Sequence, residues 1–314
     1  MHDFIQSIIL SAGVKPFYGN SKVRSGIQRF LPHNPLTSDS CSPPITVVMP
    51  CHSKDFQTLP LAALGVLKHS QNKVERIVVI HEENTQKSLV KEFKSLPVEL
   101  IPEDQVIDDQ IRKIVRELIP RDRYGWVIQQ IATWEFILSQ TQEYFLSLNA
   151  DTILTKGRTF FSSGKQLLFP VTEYSRDYDI GLASIGLDYR SGLSFVSHHQ
   201  PIKKSILEQI VHGIDKPKFY RNWISGTDIL KATISEYHTY GNFILYKEKE
   251  KVRLAYWGNL RIEKNSLVEL VSQFGNHKTL EILESMDGKI FSLSAHHYVK
   301  NGDIDLRKRL LRGE

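Results

Sequence analysis

From residue 45 onward, short β-branched apolar runs alternate with longer stretches whose apolar residues recur every three or four positions. ITVVMPC (45–51) is a compact run closed by Pro50; ERIVVIHEE (75–83) and VELIPED (98–104) repeat it. Short apolar runs bounded by turn residues read as buried strands. HSKDFQTLPLAALGVLKHS, after the first run, carries Leu61, Leu64, Val66 and Leu67 at helical spacing, and a second helix-like segment covers 84–95. Strands alternating with helices predict a mostly parallel, Rossmann-type α/β sheet with right-handed crossovers and helices on both faces. YGWVIQQIATWEFILSQ (124–140) reads as an apolar helix leading into a further strand, YFLSL.

The second half is less regular. FPVTEYSRDYDIGLASIGLDY is loop-rich, PIKKSILEQIVHGI (201–214) reads as an amphipathic helix, and GTDILKATISEYHTYGNFILYK as a helix entering a strand. VRLAYWG (252–258) and GKIFSLSAHHY (288–298) read as late strands. The expected organisation is an N-terminal arm over 1–43, one α/β domain over 44–300 and a basic tail over 301–314, with no internal repeat.

Where YFLSL ends, the apolar run breaks at Asn149-Ala150-Asp151 and resumes with Thr152-Ile153-Leu154. Ligands of open parallel sheets bind outside the carboxyl ends of the strands. On an extended backbone, oxygen-bearing side chains at i and i+2 point the same way, which suits a hard cation. A turn in which Asn and Asp bond their own backbone is the alternative.

Context adds to this. Strand, Asp-x-Asp-like triplet and resumed apolar residues resemble nucleotide-sugar-dependent glycosyltransferases of the GT-A fold. YGWVIQQIATWEF resembles the Gly-Trp-x-x-Gln-Gln helix of a group of bacterial GT-A-like proteins, in which a strand ending in Asp-Ala-Asp-Thr follows. SFVSHHQPIKKSILEQI resembles that group's Val-x-His-His segment, and SEYHTYGNFIL its Ser-Glu-Tyr-x-x-Tyr-Gly-Asn segment. The matches are ordered over residues 45 to about 246 and leave out the arm and the tail.

The resemblance implies a GT-A-like fold with a less regular C-terminal acceptor half, and transfer of a sugar from a nucleotide-sugar donor to a glycan or lipid-linked acceptor. It also implies a divalent cation, Mn²⁺ or Mg²⁺. Asn149 departs from the family's Asp and removes one negative charge, so metal affinity is expected to fall, leaving Asp151 as the best single ligand. His296 and His297 are further metal candidates, with a buried structural role as the alternative.

Pro50, His52, Ser53 and Asp55 form the lip where this fold holds a nucleoside, or an incidental polar turn. Glu82 can bond a base or ribose, or be a solvated strand end. Trp126, Gln129 and Gln130 can share a helix face that recognises donor, with core packing the alternative for Trp126. His198 and His199 read as a loop pair that contacts the acceptor or a phosphate, or lies on the surface, and Tyr237 as acceptor-binding. Glu236 is the first choice for a general base toward an attacking hydroxyl; Asp228 competes, although a helix cap explains it more simply. Lys54, Arg190 and KPKFYR offer further cations for phosphate.

Composition narrows the alternatives. The chain has 314 residues, 41% hydrophobic and 24% charged, as in ordinary globular proteins. No run approaches a membrane span, and no secretory signal is recognised. Two cysteines, Cys41 and Cys51, cannot make a disulfide scaffold, so a cytoplasmic location is expected. Net charge is +5, and the basic cluster Leu306–Arg312 suggests a peripheral contact with anionic lipid at the inner membrane face, or simply a solvated terminus. No nucleic-acid motif accompanies it. The first strand is followed neither by Gly-x-Gly-x-x-Gly nor by Gly-x-x-x-x-Gly-Lys, which disfavours dinucleotide and P-loop enzymes. A sugar nucleotidyltransferase lacks its Gly-rich basic loop here. A nucleotide-sugar binding protein with weak or no catalysis stays open because of Asn149.

Overall fold

The computed structural model describes residues 21–82, 93, 96–187, 191–213, 215–226, 234–286 and 288–296. Helix α1 (Ser21–Phe30) precedes β1 (Ile45–Cys51), α2 (Leu59–His69), β2 (Val74–His81), β3 (Val98–Pro102), α3 (Asp109–Leu118), α4 (Arg121–Ser139) and β4 (Tyr144–Leu148). Next come β5 (Thr152–Leu154), β6 (Phe161–Ser162), β7 (Lys165–Leu168), α5 (Arg176–Ser184), β8 (His199–Lys203), α6 (Lys204–Val211), α7 (Lys216–Ser225) and α8 (Glu236–Lys247). The last elements are β9 (Val252–Leu254), β10 (Asn259–Glu263), α9 (Lys264–Glu284) and β11 (Ser292–His296).

The fold is mixed α/β. The central sheet has the order β3-β2-β1-β4-β8, with four parallel strands and β8 antiparallel at one edge. Two smaller sheets, β10-β11-β5 and β6-β7-β9, come from the second half. Pleating divides the core. Val48, Val78, Ile80 and Phe145 pack with α3, α4 and α6 to α8, while Val47, Met49, Ile77, Val79, Leu146 and Leu148 pack with α2, α9 and the smaller sheets. Both faces are thus covered, which is why these strands read as continuous apolar runs. Gly65 lets α2 lie against β5: a Cβ there would stand 2.8 Å from the Leu154 carbonyl.

Several expected elements are redrawn. Residues 201–214 are not one helix: His199–Lys203 is a fully buried strand paired with β4, and the helix runs from Lys204 to Val211. The 3.6-residue pattern begins only at Ile206. Glu236–Lys247 is helical throughout, and its Phe-Ile-Leu run suggests a strand only because the helix is buried nearly all round. The late strands shrink to Val252–Leu254 and Ser292–His296. The segment 84–95 (except Phe93), residues 1–20 of the arm and the tail 301–314 lie outside the described residues. Among the described residues, no helix is long and apolar enough to cross a membrane.

Candidate functional site

From β1 the chain moves outward to β2 and β3, then returns to place β4 on the other side of β1. Strand order therefore reverses between β1 and β4, and a crevice opens beyond their carboxyl ends, the usual ligand position of an open α/β sheet. Two groups of residues flank it.

On the β1–β2 side lies a narrow cleft, about 350 Å³ when the space open to solvent at its mouth is included. Its strand-end residues are Pro50, Cys51, His52, Ile80 and Glu82, with Glu103 from the 3₁₀ turn after β3. Helix α4 contributes Tyr124, Gly125, Ile128, Gln129 and Ala132. His52 Nε2 lies 2.9 Å from Glu82 Oε1, and the Ser53 N–H donates to Glu82 Oε2 at 3.4 Å. Pro50, His52, Glu82 and Gln129, all predicted for the donor, meet here. Gln130 does not line the cleft. It is buried, donates to the Trp126 carbonyl at 3.2 Å and accepts the Glu236 N–H at 3.0 Å. Trp126 is 36% exposed, which argues against plain core packing.

On the β4 side a polar network surrounds the Asn-Ala-Asp triplet. The backbone turns here, with the Thr152 N–H donating to the Asn149 carbonyl at 3.0 Å, so the expected extended geometry is replaced by a tight turn. The turn releases the chain from the central sheet into β5, which pairs with β11. That pairing brings His296, at the end of β11, to Asp151: His296 Nδ1 lies 3.1 Å from Asp151 Oδ2. Burial alone would raise the Asp151 pKa. The His296 hydrogen bond and interactions with His296, His198 and Lys264 outweigh it and hold the carboxylate below its ordinary range.

Asn149 joins two further groups. Its Oδ1 accepts from the Tyr237 hydroxyl at 2.9 Å, and its Nδ2 lies 3.3 Å from His198 Nδ1. Tyr237 also meets Ser147 Oγ at 3.0 Å, across the face of β4 opposite Leu146 and Leu148. His198 has φ 62°, which costs a non-glycine residue roughly 1–2 kcal/mol. Its carbonyl accepts the Asn149 N–H at 2.9 Å, and its ring centroid lies 5.1 Å from that of His296. Burial first, then His296, pushes its pKa down to about 4, so it is neutral at pH 7.

The two histidines predicted as a surface or loop pair separate. His199 is the first residue of β8 and is buried against Phe160 and Phe169. Burial and nearby Arg158 push its pKa well down, as suits a core imidazole. His198 stands just before β8 with its backbone in the left-handed region, so its ring turns to the network while His199, inside the strand, faces the core.

Glu236 opens α8 and is 8% exposed. Burial raises its pKa to about 7, although its own and the Tyr237 N–H bond the carboxylate and oppose the rise. Asp228, His297 and Arg190 lie outside the described residues. One residue the sequence did not single out is Lys264, whose buried ammonium bonds Asp55 Oδ1 at 2.6 Å and also the Lys54 carbonyl. It ties the β1 lip to the start of α9, and no local motif marks it.

Among the described residues, no group of three or more His, Cys, Asp and Glu side chains could hold a metal ion. The donors that do adjoin are the Asp151 carboxylate and the His296 imidazole, with Asn149 two residues from Asp151. Carboxylate, amide oxygen and imidazole are a chemically sound set for Mn²⁺.

No family model matches this sequence, and no curated protein matches it. Among solved structures, mouse xyloside xylosyltransferase 1 in its apo form is similar at TM-score 0.44 and 11% identity, over 81% of this chain and 98% of that chain. The galactosyltransferase LgtC with donor and acceptor sugar analogs is similar at TM-score 0.41 and 12% identity, over 80% and 87%. An active-site mutant of LgtC reaches TM-score 0.48 and 11% identity, over 86% and 95%. Superposition this loose leaves the functional reading to the site's own residues.

Proposed function

We propose that this chain is a glycosyltransferase of GT-A type, moving a sugar from a nucleotide-sugar donor to a glycan or lipid-linked acceptor. One observation carries the reading: at the switch point between β1 and β4, a largely buried carboxylate–imidazole pair, Asp151 and His296, stands beside a cleft edged by carboxylate, amide and aromatic side chains. In the reading, the cleft takes the nucleoside and the network takes the diphosphate. Asp151 and His296, with Asn149, would hold a divalent cation, which when bound neutralises charge on the departing diphosphate. Neutral His198, fixed by Asn149, is a hydrogen-bond donor or acceptor toward the donor phosphates or the acceptor. Glu236, as carboxylate, takes the proton of the acceptor hydroxyl while that oxygen bonds the anomeric carbon and the bond to the diphosphate breaks. A pKa near 7 suits a base working near neutrality. The basic segment 306–312 supports peripheral contact with anionic lipid.

The test is release of nucleotide from UDP-glucose, GDP-mannose and CMP-sialic acid by the full chain, with Mn²⁺ and with EDTA. Release that Asp151→Ala removes supports the reading. Tight binding without release makes the chain a nucleotide-sugar binding protein, and neither binding nor release ends the proposal.

A further inference from the structure

The cleft on the β1–β2 side has a feature that nucleotide binding in general does not require. Glu103 lines it from the turn after β3 and is half-buried, yet among the described residues no hydrogen bond to its carboxylate is found. Burial, the largest influence, raises its pKa; Glu82 and Asp104 act in the same direction, while Arg112 and Arg116 oppose them. A second carboxylate, Glu82, lies on the same cleft and is tied to His52 at 2.9 Å. Ile80, Ile128 and Ala132 supply apolar lining, and Tyr124 an aromatic ring. Apolar and aromatic walls with a few polar groups at the edge are how a protein reads a nucleobase out of its stack.

We propose that the cleft selects guanine, with the Glu103 carboxylate accepting both N1–H and the 2-amino group; this rests on the reading that the cleft takes the donor's nucleoside. The chemistry is that of edge matching. A carboxylate offers acceptors only, so it needs adjacent donors. Guanine presents two side by side. Cytosine and adenine present one amino donor next to a ring-nitrogen acceptor. Uracil presents one N–H between two carbonyls, both of which an anionic carboxylate repels. Glu82, already engaged by His52, is left for the ribose.

The experiment is calorimetric binding of GDP, IDP, UDP, ADP and CDP to the full chain in Mn²⁺. IDP lacks only the 2-amino group, so it tests that contact without mutation. GDP is expected to bind at least tenfold more tightly than the other four, since each well-made pair to a base edge discriminates by about 1–3 kcal/mol. Glu103→Gln, which turns one acceptor into a donor, should bring GDP and IDP within about threefold of each other, with an unchanged melting temperature showing an intact fold. Equal affinity for GDP and IDP in the natural chain, or tighter binding of UDP, ADP or CDP, overturns the guanine assignment and leaves the donor reading standing. Binding of none of the five removes the donor reading, and the base assignment with it.

Discussion

His52 and Glu82, on the cleft side of the β1 carboxyl end, have side chains 38% exposed and meet in a direct 2.9 Å contact. Across the same crevice, Asp151, His296, His198, Tyr237 and Glu236 are largely buried: Asp151 meets His296, the His296 ring lies against His198, His198 and Tyr237 share Asn149, and the Tyr237 N–H bonds the Glu236 carboxylate. The two sides carry comparable chemistry under different constraints. An exposed pair is worth about 0–1 kcal/mol and can adjust to a ligand. A buried polar network has little freedom, and removing one member leaves its partners unsatisfied at about 1–3 kcal/mol each. The cleft is therefore suited to recognising a variable group, and the network to holding a fixed geometry where charge develops.

Asp151→Ala should break the comparison hardest. It deletes the buried carboxylate that His296 meets, and nucleotide release is expected to fall on the order of 10²–10³-fold, as for loss of a preorganised electrostatic contact. Activity within threefold of the natural chain would take Asp151 out of the site.

Glu236→Gln comes next, with transfer expected to drop roughly 10²-fold while donor affinity holds. Transfer by the natural chain should rise with pH through about 7 as Glu236 ionises, and the variant should lose that limb. Stability moves the other way. The folded pKa lies above the ordinary value of 4.5, so folding favours the protonated carboxyl; that contribution is complete below about pH 4.5 and is lost as pH rises through 7. The variant should gain about 2.5 kcal/mol on the natural chain between pH 5 and pH 8 in urea unfolding. Equal losses of transfer and donor affinity would make Glu236 a binding residue.

How much of this the sequence reveals differs between the same two sides. Strands β1 to β3 and the cleft residues Pro50, His52, Glu82 and Gln129 are legible, because a doubly covered parallel sheet writes itself as apolar runs and puts polar residues at their ends. The network is legible only in part. Asn149 and Asp151 mark the end of β4, but the turn between them, the strand His199–Lys203 and the burial of α8 depend on long-range pairing that no local period encodes. Lys264 meets Asp55 across 209 positions, and a lone lysine after a short strand carries no signal of that contact. Local patterns thus locate the crevice and miss how its far wall is assembled.

Asn149→Asp sharpens the comparison inside the network. Tyr237 can still donate to an oxygen at 149, while the amide contact to His198 is lost and a second carboxylate stands near Asp151. Mn²⁺ titrations of nucleotide release should show half-saturation about tenfold lower, with the saturated rate within threefold, because added negative charge favours a hard cation. A collapse of the saturated rate would show that the amide's contact to His198 is itself required.

The smallest effect belongs to the cleft. His52→Ala removes one side of the exposed contact to Glu82 and the ring that lies against Gly125 of α4, where a Cβ would stand 3.4 Å from His52 Cδ2. The ring lines the cleft and is partly exposed, so unfolding free energy should change by about 1 kcal/mol or less. KM for the nucleotide-sugar should rise three- to tenfold with kcat nearly unchanged, the signature of binding lost equally from ground and transition states. If kcat instead fell as far as in Glu236→Gln, His52 would be acting on the reacting centre, and the division between an adaptable recognition side and a preorganised chemical side would fail where β1 separates them.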